Sequence, residues 1–90
     1  MIEIRFEGTR AAAYDGGTRV GECDFSADGR IWTVYHTEVD AAYGGQGIAR
    51  RLVKCVAEQA ARSGAKIKAA CSFVAREFER RPEEYADVRL

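Results

Sequence analysis

Gly44-Gly45-Gln46-Gly47 runs straight into Ile48-Ala49-Arg50-Arg51, so a glycine-rich turn heads an amphipathic segment. Glycines let a backbone approach a ligand closely, and a helix start presents unpaired N–H groups with partial positive charge. Arg50 and Arg51 fall in the expected first helical turn, where the helix dipole disfavours cations. A bound anion would remove that conflict, so the turn reads as a phosphate cradle; the competing reading is a sharp turn with two solvated arginines. The nucleotide P-loop is excluded because no Gly-Lys-Ser/Thr follows, and the dinucleotide fingerprint fails at Arg50, where a third glycine is required. Gly44 to Gly47 also matches the Gly-x-x-Gly of KH nucleic-acid modules. That loop joins two helices, whereas this one leaves a strand.

Two further places hold reactive groups. His36 and Glu38 alternate along a strand pattern, and either suits the work of a general base, directly or through water. Each also has a structural reading, a hydrogen-bonded core histidine and a solvated glutamate. Cys71 stands just before Ser72, where strand gives way to helix, and a helix N-terminus favours the thiolate. That would serve a covalent intermediate or a thiol proton donor. Burial beside Ile67 and Ala69 would instead raise the pKa and leave the thiol inert. Cys23, mid-strand, and Cys55, mid-helix, read as packing residues. Three widely spaced cysteines and one histidine make neither a four-ligand zinc site nor a paired disulfide framework, so no metal is expected and the thiols read as reduced.

The elements that must hold these groups follow from periodicity. Ile2, Ile4 and Phe6 alternate with charged residues as in a half-buried strand. Arg10 to Asp15 reads as a second strand, Arg19 to Ser26 as a third, and Asp28-Gly29 as a hairpin turn into a fourth, Arg30 to Val39. Strict alternation along the fourth puts Ile31, Thr33, Tyr35, Thr37 and Val39 on one face and Trp32, Val34, His36 and Glu38 on the other. Bulk on both faces predicts a central strand. The period then becomes helical from Ile48 to Ser63, with Ile48, Leu52, Val53, Val56 and Ala60 on one stripe and Gly64 as the stop. Lys66 to Cys71 reads as a fifth strand, and Ser72 as the N-cap of a shorter helix that ends by Pro82. A strand–helix–strand unit requires parallel pairing, so the sheet is mixed, mostly antiparallel and about five-stranded, in an α/β (α+β) chain. The charges from Arg76 to Glu84 read as a solvated helix face.

Composition sets outer bounds. Apolar residues are 47% of the chain and charged ones 31%, enough for a packed core, and the expectation is a single domain over residues 1–90. Fourteen basic residues balance fourteen acidic ones, which argues against a general nucleic-acid or membrane-surface binder. No run approaches the roughly 20 apolar residues of a membrane span, and Met1 to Arg5 lacks a signal peptide's apolar stretch, so a cytoplasmic chain is expected; a monomer is the expected state, although no motif in the sequence sets it.

With these residues in place a resemblance emerges. Gly45-Gln46-Gly47-Ile48-Ala49, preceded by His36-Thr37-Glu38-Val39 and followed by Arg51-Leu52-Val53, resembles the acetyl-CoA-binding segment of GNAT-type N-acetyltransferases. Cys71-Ser72-Phe73-Val74, with Phe78 and Arg81-Pro82-Glu83 beyond, is similar to their small single-domain YjdJ-like branch. The resemblance implies a GNAT-like mixed sheet whose fourth and fifth strands splay apart to admit acetyl-CoA, with a long helix after the fourth strand and a shorter C-terminal one. It implies that backbone amides of Gly45, Gln46, Gly47, Ile48 and Ala49 hold the pyrophosphate, and that Glu38 and Val39 line the pantetheine arm. Two positions depart from the family pattern: Gly44 stands where Arg or Gln usually opens the pyrophosphate motif, with Arg50 or Arg51 as substitute charge, and Phe78 stands where many relatives carry a tyrosine acid. The implied activity is transfer of an acetyl group to an amine, the acceptor unknown and a protein or peptide lysine among the choices, by direct attack in a ternary complex with Glu38, His36 and Cys71 as candidate catalytic residues. A CoA-binding module without chemistry is the competing reading, and a KH-like RNA-binding domain the weaker one.

Overall fold

The computed structural model describes all 90 residues. Strands β1 (Ile2–Phe6), β2 (Arg10–Asp15), β3 (Thr18–Asp28), β4 (Ile31–Val39) and β5 (Lys66–Ala69) form one sheet in the order 1-2-3-4-5. Neighbours among the first four are antiparallel, as turns of two or three residues allow. Helix α1 (Ile48–Ser63) crosses from β4 to β5 and makes that last pair parallel. The chain finishes with α2 (Ser72–Arg80) and α3 (Pro82–Tyr85). This is the expected strand order with two additions, a 3-10 turn at Ala41–Tyr43 and the short α3. Pro82 ends α2 and opens α3, since its fixed φ and missing N–H suit a first helical turn. Ser72, expected as the cap of α2, is instead its first residue; Cys71 occupies the N-cap position, and no side chain caps the helix there.

One face of the sheet and all three helices share a single apolar cluster. Cys23, Phe25, Trp32 and Val34 meet the buried stripe of α1, and Val74, Phe78, Tyr85 and Val88 close the end beside β5. Phe25 stacks on Trp32 with ring centroids 4.3 Å apart, and Phe6 lies 6.0 Å from Phe25. The stack makes up for the small residues Ala11 and Ala13, which give β2 little bulk of its own.

The alternation expected for β4 holds only through Val34. Asp24 pairs with His36 but Phe25 pairs with Val34, so Tyr35 is an extra, unpaired residue and the strand carries a β-bulge. Past the bulge the faces exchange. Thr37 lies opposite Cys23, and Val39 opposite Gly21, on the core side; His36 and Glu38 lie opposite Asp24 and Glu22 on the other side. The sequence-based assignment of Thr37 and Val39 to the face away from Trp32 and Val34 is thus overturned, because one inserted residue inverts every position beyond it. That other face carries Glu3, Arg5, Arg10, Tyr14, Glu22 and Asp24, and a part-buried ion pair on it joins Arg10 Nε to Asp24 Oδ1 at 2.8 Å.

The stack and the bulge predict opposite sensitivities on adjacent strands. Phe25→Ala should lower unfolding free energy by about 3–5 kcal/mol, whereas Tyr35→Ala, at a position that is 56% exposed, should stay within about 0.5 kcal/mol. Urea titration of both variants measures this, and a large loss at Tyr35 would mean that its ring is part of the core.

Candidate active site

The β4–β5 ladder is short. It spans Ile31–Val34 against Lys66–Ala69 and closes with the Ala70 N–H donating to the Val34 carbonyl at 2.9 Å. Beyond it β4 runs on for five residues, Tyr35 to Val39, while the other chain turns into α2. The two diverge as a fork, and because α2 packs with the core-side helices, the fork connects the helical face of the sheet with its open face.

Cys71 sits in the fork. Its thiol donates to Thr37 Oγ1 at 3.6 Å, and the Thr37 hydroxyl donates to Cys23 Sγ at 3.5 Å. Partial burial works to raise the Cys71 pKa, but the Val74 N–H, the Thr37 hydroxyl and the Phe73 N–H together hold it below the ordinary value of 9.0. Burial pushes Cys23 up to about 11 and raises Cys55 as well. Of the three thiols, only the one at a helix start is shifted toward thiolate.

On the open face, His36 Nε2 lies 3.1 Å from Glu22 Oε2 and 3.4 Å from Glu38 Oε1. Glu22 escaped the sequence reading because it stands on β3 and reaches β4 only through strand register, where it lies directly opposite Glu38. His36 bridges two carboxylates that would otherwise face each other as like charges across the ladder.

On the helical face a cleft of about 370 Å³ runs from the glycine turn to α2. Val39, the turn from Gly44 to Gly47 and the start of α1 form one wall; Phe73, Glu77, Arg80 and Arg81 form the other. Gly45 and Gly47 have φ of +76° and +75°, a left-handed conformation that side chains resist. The first intrahelical bond of α1 runs from the Arg51 N–H to the Gly47 carbonyl, so the N–H groups of Gly45, Gln46, Gly47, Ile48, Ala49 and Arg50 donate to no carbonyl. Gly44 differs, because its N–H closes the preceding 3-10 turn on Ala41 at 3.1 Å. That turn is tied to β2 by the Tyr43 hydroxyl donating to Asp15 Oδ2 at 2.6 Å.

The two arginines of the first turn part company, since consecutive helical residues point about 100° apart. Arg50 lines the cleft, 3.9 Å from both Glu77 Oε1 and Glu84 Oε2. Arg51 turns toward β1 and donates to the Ile2 carbonyl at 3.3 Å, so the structure does not bring it to the cleft. The missed residues are on α2: the charges from Arg76 to Glu84 are not simply a solvated face, for Glu77 is only 5% exposed. A signal was present, since Glu77 falls on the same helical stripe as Val74 and Phe78. The glycine turn follows a strand and a single 3-10 turn and meets one long helix, which is not the pair of α-helices that a KH loop joins.

The model of GCN5-related N-acetyl-transferases matches residues 6–88. This chain belongs to that family. A GCN5-like protein from Staphylococcus aureus, solved by NMR, is 31% identical and superposes with a TM-score of 0.73, covering 98% of this chain and 87% of its own. Two more distant structures share the fold. The ribosomal-protein-S18-alanine N-acetyltransferase of Escherichia coli has a TM-score of 0.63 at 15% identity, over 71% of this chain and 43% of that one. An aminoglycoside acetyltransferase from an uncultured soil sample has 0.62 at 16%, over 86% and 59%. No curated protein matches.

The three thiols give a direct test of the fork's electrostatics. Because only the thiolate alkylates readily, Cys71 should react first with iodoacetamide, with a pH midpoint below 9. Cys55 should follow more slowly and Cys23 only on unfolding. Peptide mapping by mass spectrometry reads the order; equal reactivity of Cys71 and Cys55 would contradict it.

Proposed function

We propose that residues 1–90 form one domain that transfers an acetyl group from acetyl-CoA to an amine. The observation that carries this is the row of six unpartnered backbone N–H groups, Gly45 to Arg50, facing a cleft that leads to the fork. Such a row suits a diphosphate, because the donors are fixed and the helix dipole adds to their positive potential. The amides of Gly45, Gln46, Gly47, Ile48 and Ala49 take the pyrophosphate, with Arg50 in support. Glu38 and Val39 line the pantetheine arm, which leads the thioester into the fork. Acetyl-CoA supplies the activated acyl group; the remaining work falls to side chains.

The acceptor approaches from the open face of the sheet, where Glu38 and His36 take the amine's proton, directly or through water, with Glu22 orienting the imidazole. Attack on the thioester carbonyl then releases CoA as a thiolate at the fork, beside Cys71. Phe78, where many relatives carry a tyrosine, is buried in the core and holds no proton to give, which leaves Cys71 the nearest donor. One observation favours a second route: the lowered Cys71 pKa suits a nucleophile, giving an acetyl-cysteine intermediate. Incubation with acetyl-CoA alone separates the routes, since only the second adds one acetyl group to Cys71 before any amine is present.

Acetyl-CoA at 100 times its dissociation constant should raise stability by about 2.7 kcal/mol, a shift of roughly 4–8 °C for a domain this small. NAD, lacking the pantetheine arm, should not reproduce it. His36→Ala should lower kcat by about 10²–10⁴-fold with little change in KM for acetyl-CoA. CoA release over many turnovers that does not depend on an added amine, or no thermal shift at millimolar acetyl-CoA, would remove the transferase reading.

A further inference from the structure

Three polar atoms are buried without any hydrogen-bond partner: Glu77 Oε1, Arg81 Nε and the Tyr85 hydroxyl oxygen. Two of them meet at the far end of the cleft. Glu77 Oε1 lies 3.7 Å from Arg81 Nε and 3.9 Å from Arg50 Nε, close enough for ion pairing but beyond hydrogen-bond reach. Arg80, on the same wall, has no carboxylate within 4 Å. The cleft therefore holds three guanidinium groups against one lining carboxylate, besides the amide row. Buried groups left at this spacing are costly unless something completes their bonding.

Position along α2 says what that group is. Cys71, at the fork, and Arg80 stand nine residues apart, about 14 Å along a helix. Arg80 and Arg81 face the Gly44–Arg50 turn across one cleft, so a ligand whose acyl end lies at Cys71 and whose diphosphate rests on the Gly45–Ala49 amides brings the group that follows its diphosphate within reach of their side chains. We infer that Arg80 and Arg81, with Arg50 and braced by Glu77, form a subsite for a ribose phosphomonoester, so that the protein selects CoA thioesters carrying the 3′-phosphate over thioesters that lack it. Glu77 is here a positioning residue: its carboxylate draws the Arg50 and Arg81 guanidinium groups to one place, at 3.9 and 3.7 Å, while a dianion supplies the acceptors they lack. This inference rests on the CoA reading above and adds the chemical group that is read.

Calorimetric titration of the intact chain with CoA and with 3′-dephospho-CoA tests it without any variant. CoA should bind at least about tenfold more tightly, the worth of one charge-assisted hydrogen bond. Arg80→Ala should reduce CoA affinity by a similar factor and leave dephospho-CoA affinity unchanged. Glu77→Gln should lower the ratio of the two affinities, whereas a variant that merely misfolds would lose both ligands alike. Equal affinity for the two ligands in the unmodified protein would overturn the subsite and leave the CoA reading standing. Failure of either ligand to bind would remove the CoA reading, and the subsite with it.

Discussion

Everything at the site depends on β4 and β5 parting after Val34. A parallel pair normally continues as long as both strands stay extended, but here the chain after β5 turns into α2 at Cys71, while β4 keeps its antiparallel partner β3 to Val39. The bulge at Tyr35 falls at this point. It leaves one residue unpaired and gives β4 a stronger local twist, which suits divergence from β5. It also exchanges the faces, and that exchange decides which side chains meet. Thr37 is brought inward to meet Cys71 across the fork, while His36 and Glu38 are put on the open face with Glu22. Without the bulge, His36 would point into the apolar layer under α1 and Thr37 would face solvent.

The second constraint is charge in a confined cleft. Six free N–H groups and three arginines are gathered around a space of about 370 Å³, and the one carboxylate lining it is buried. In a chain with no formal net charge this is a local concentration, made by geometry rather than by composition. Glu84, which pairs with Arg50 and Lys54, balances it from outside. The three thiols follow the same logic on a smaller scale. Helix-terminal N–H groups outweigh desolvation at Cys71, and nothing outweighs it at Cys23.

Much of the frame was legible in the chain. Period-two runs marked β1 and β4, the change to a helical period at Ile48 marked α1, and the glycines at 44–47 marked the turn whose amides are free. These are local signals, set by residues within one or two turns of each other, so they survive without knowledge of packing. The boundaries that failed were also local but depended on partners: Ser72 entered the helix instead of capping it, and Arg51 turned to β1 because the Ile2 carbonyl lies there.

By itself the sequence determined the order of elements, the parallel β4–β5 unit forced by a crossing helix, and a helix start able to hold an anion. Tertiary structure alone decided which groups stand together. Glu22 joins His36 only through the β3–β4 register, Cys71 meets Thr37 only because a bulge inverts β4, and Glu77 is placed among Arg50 and Arg81 only by α2 packing beside α1. The reason is physical: periodicity fixes which way a side chain faces within its own element, whereas a bulge, a register and a helix-packing position are settled by contacts between residues far apart in the chain.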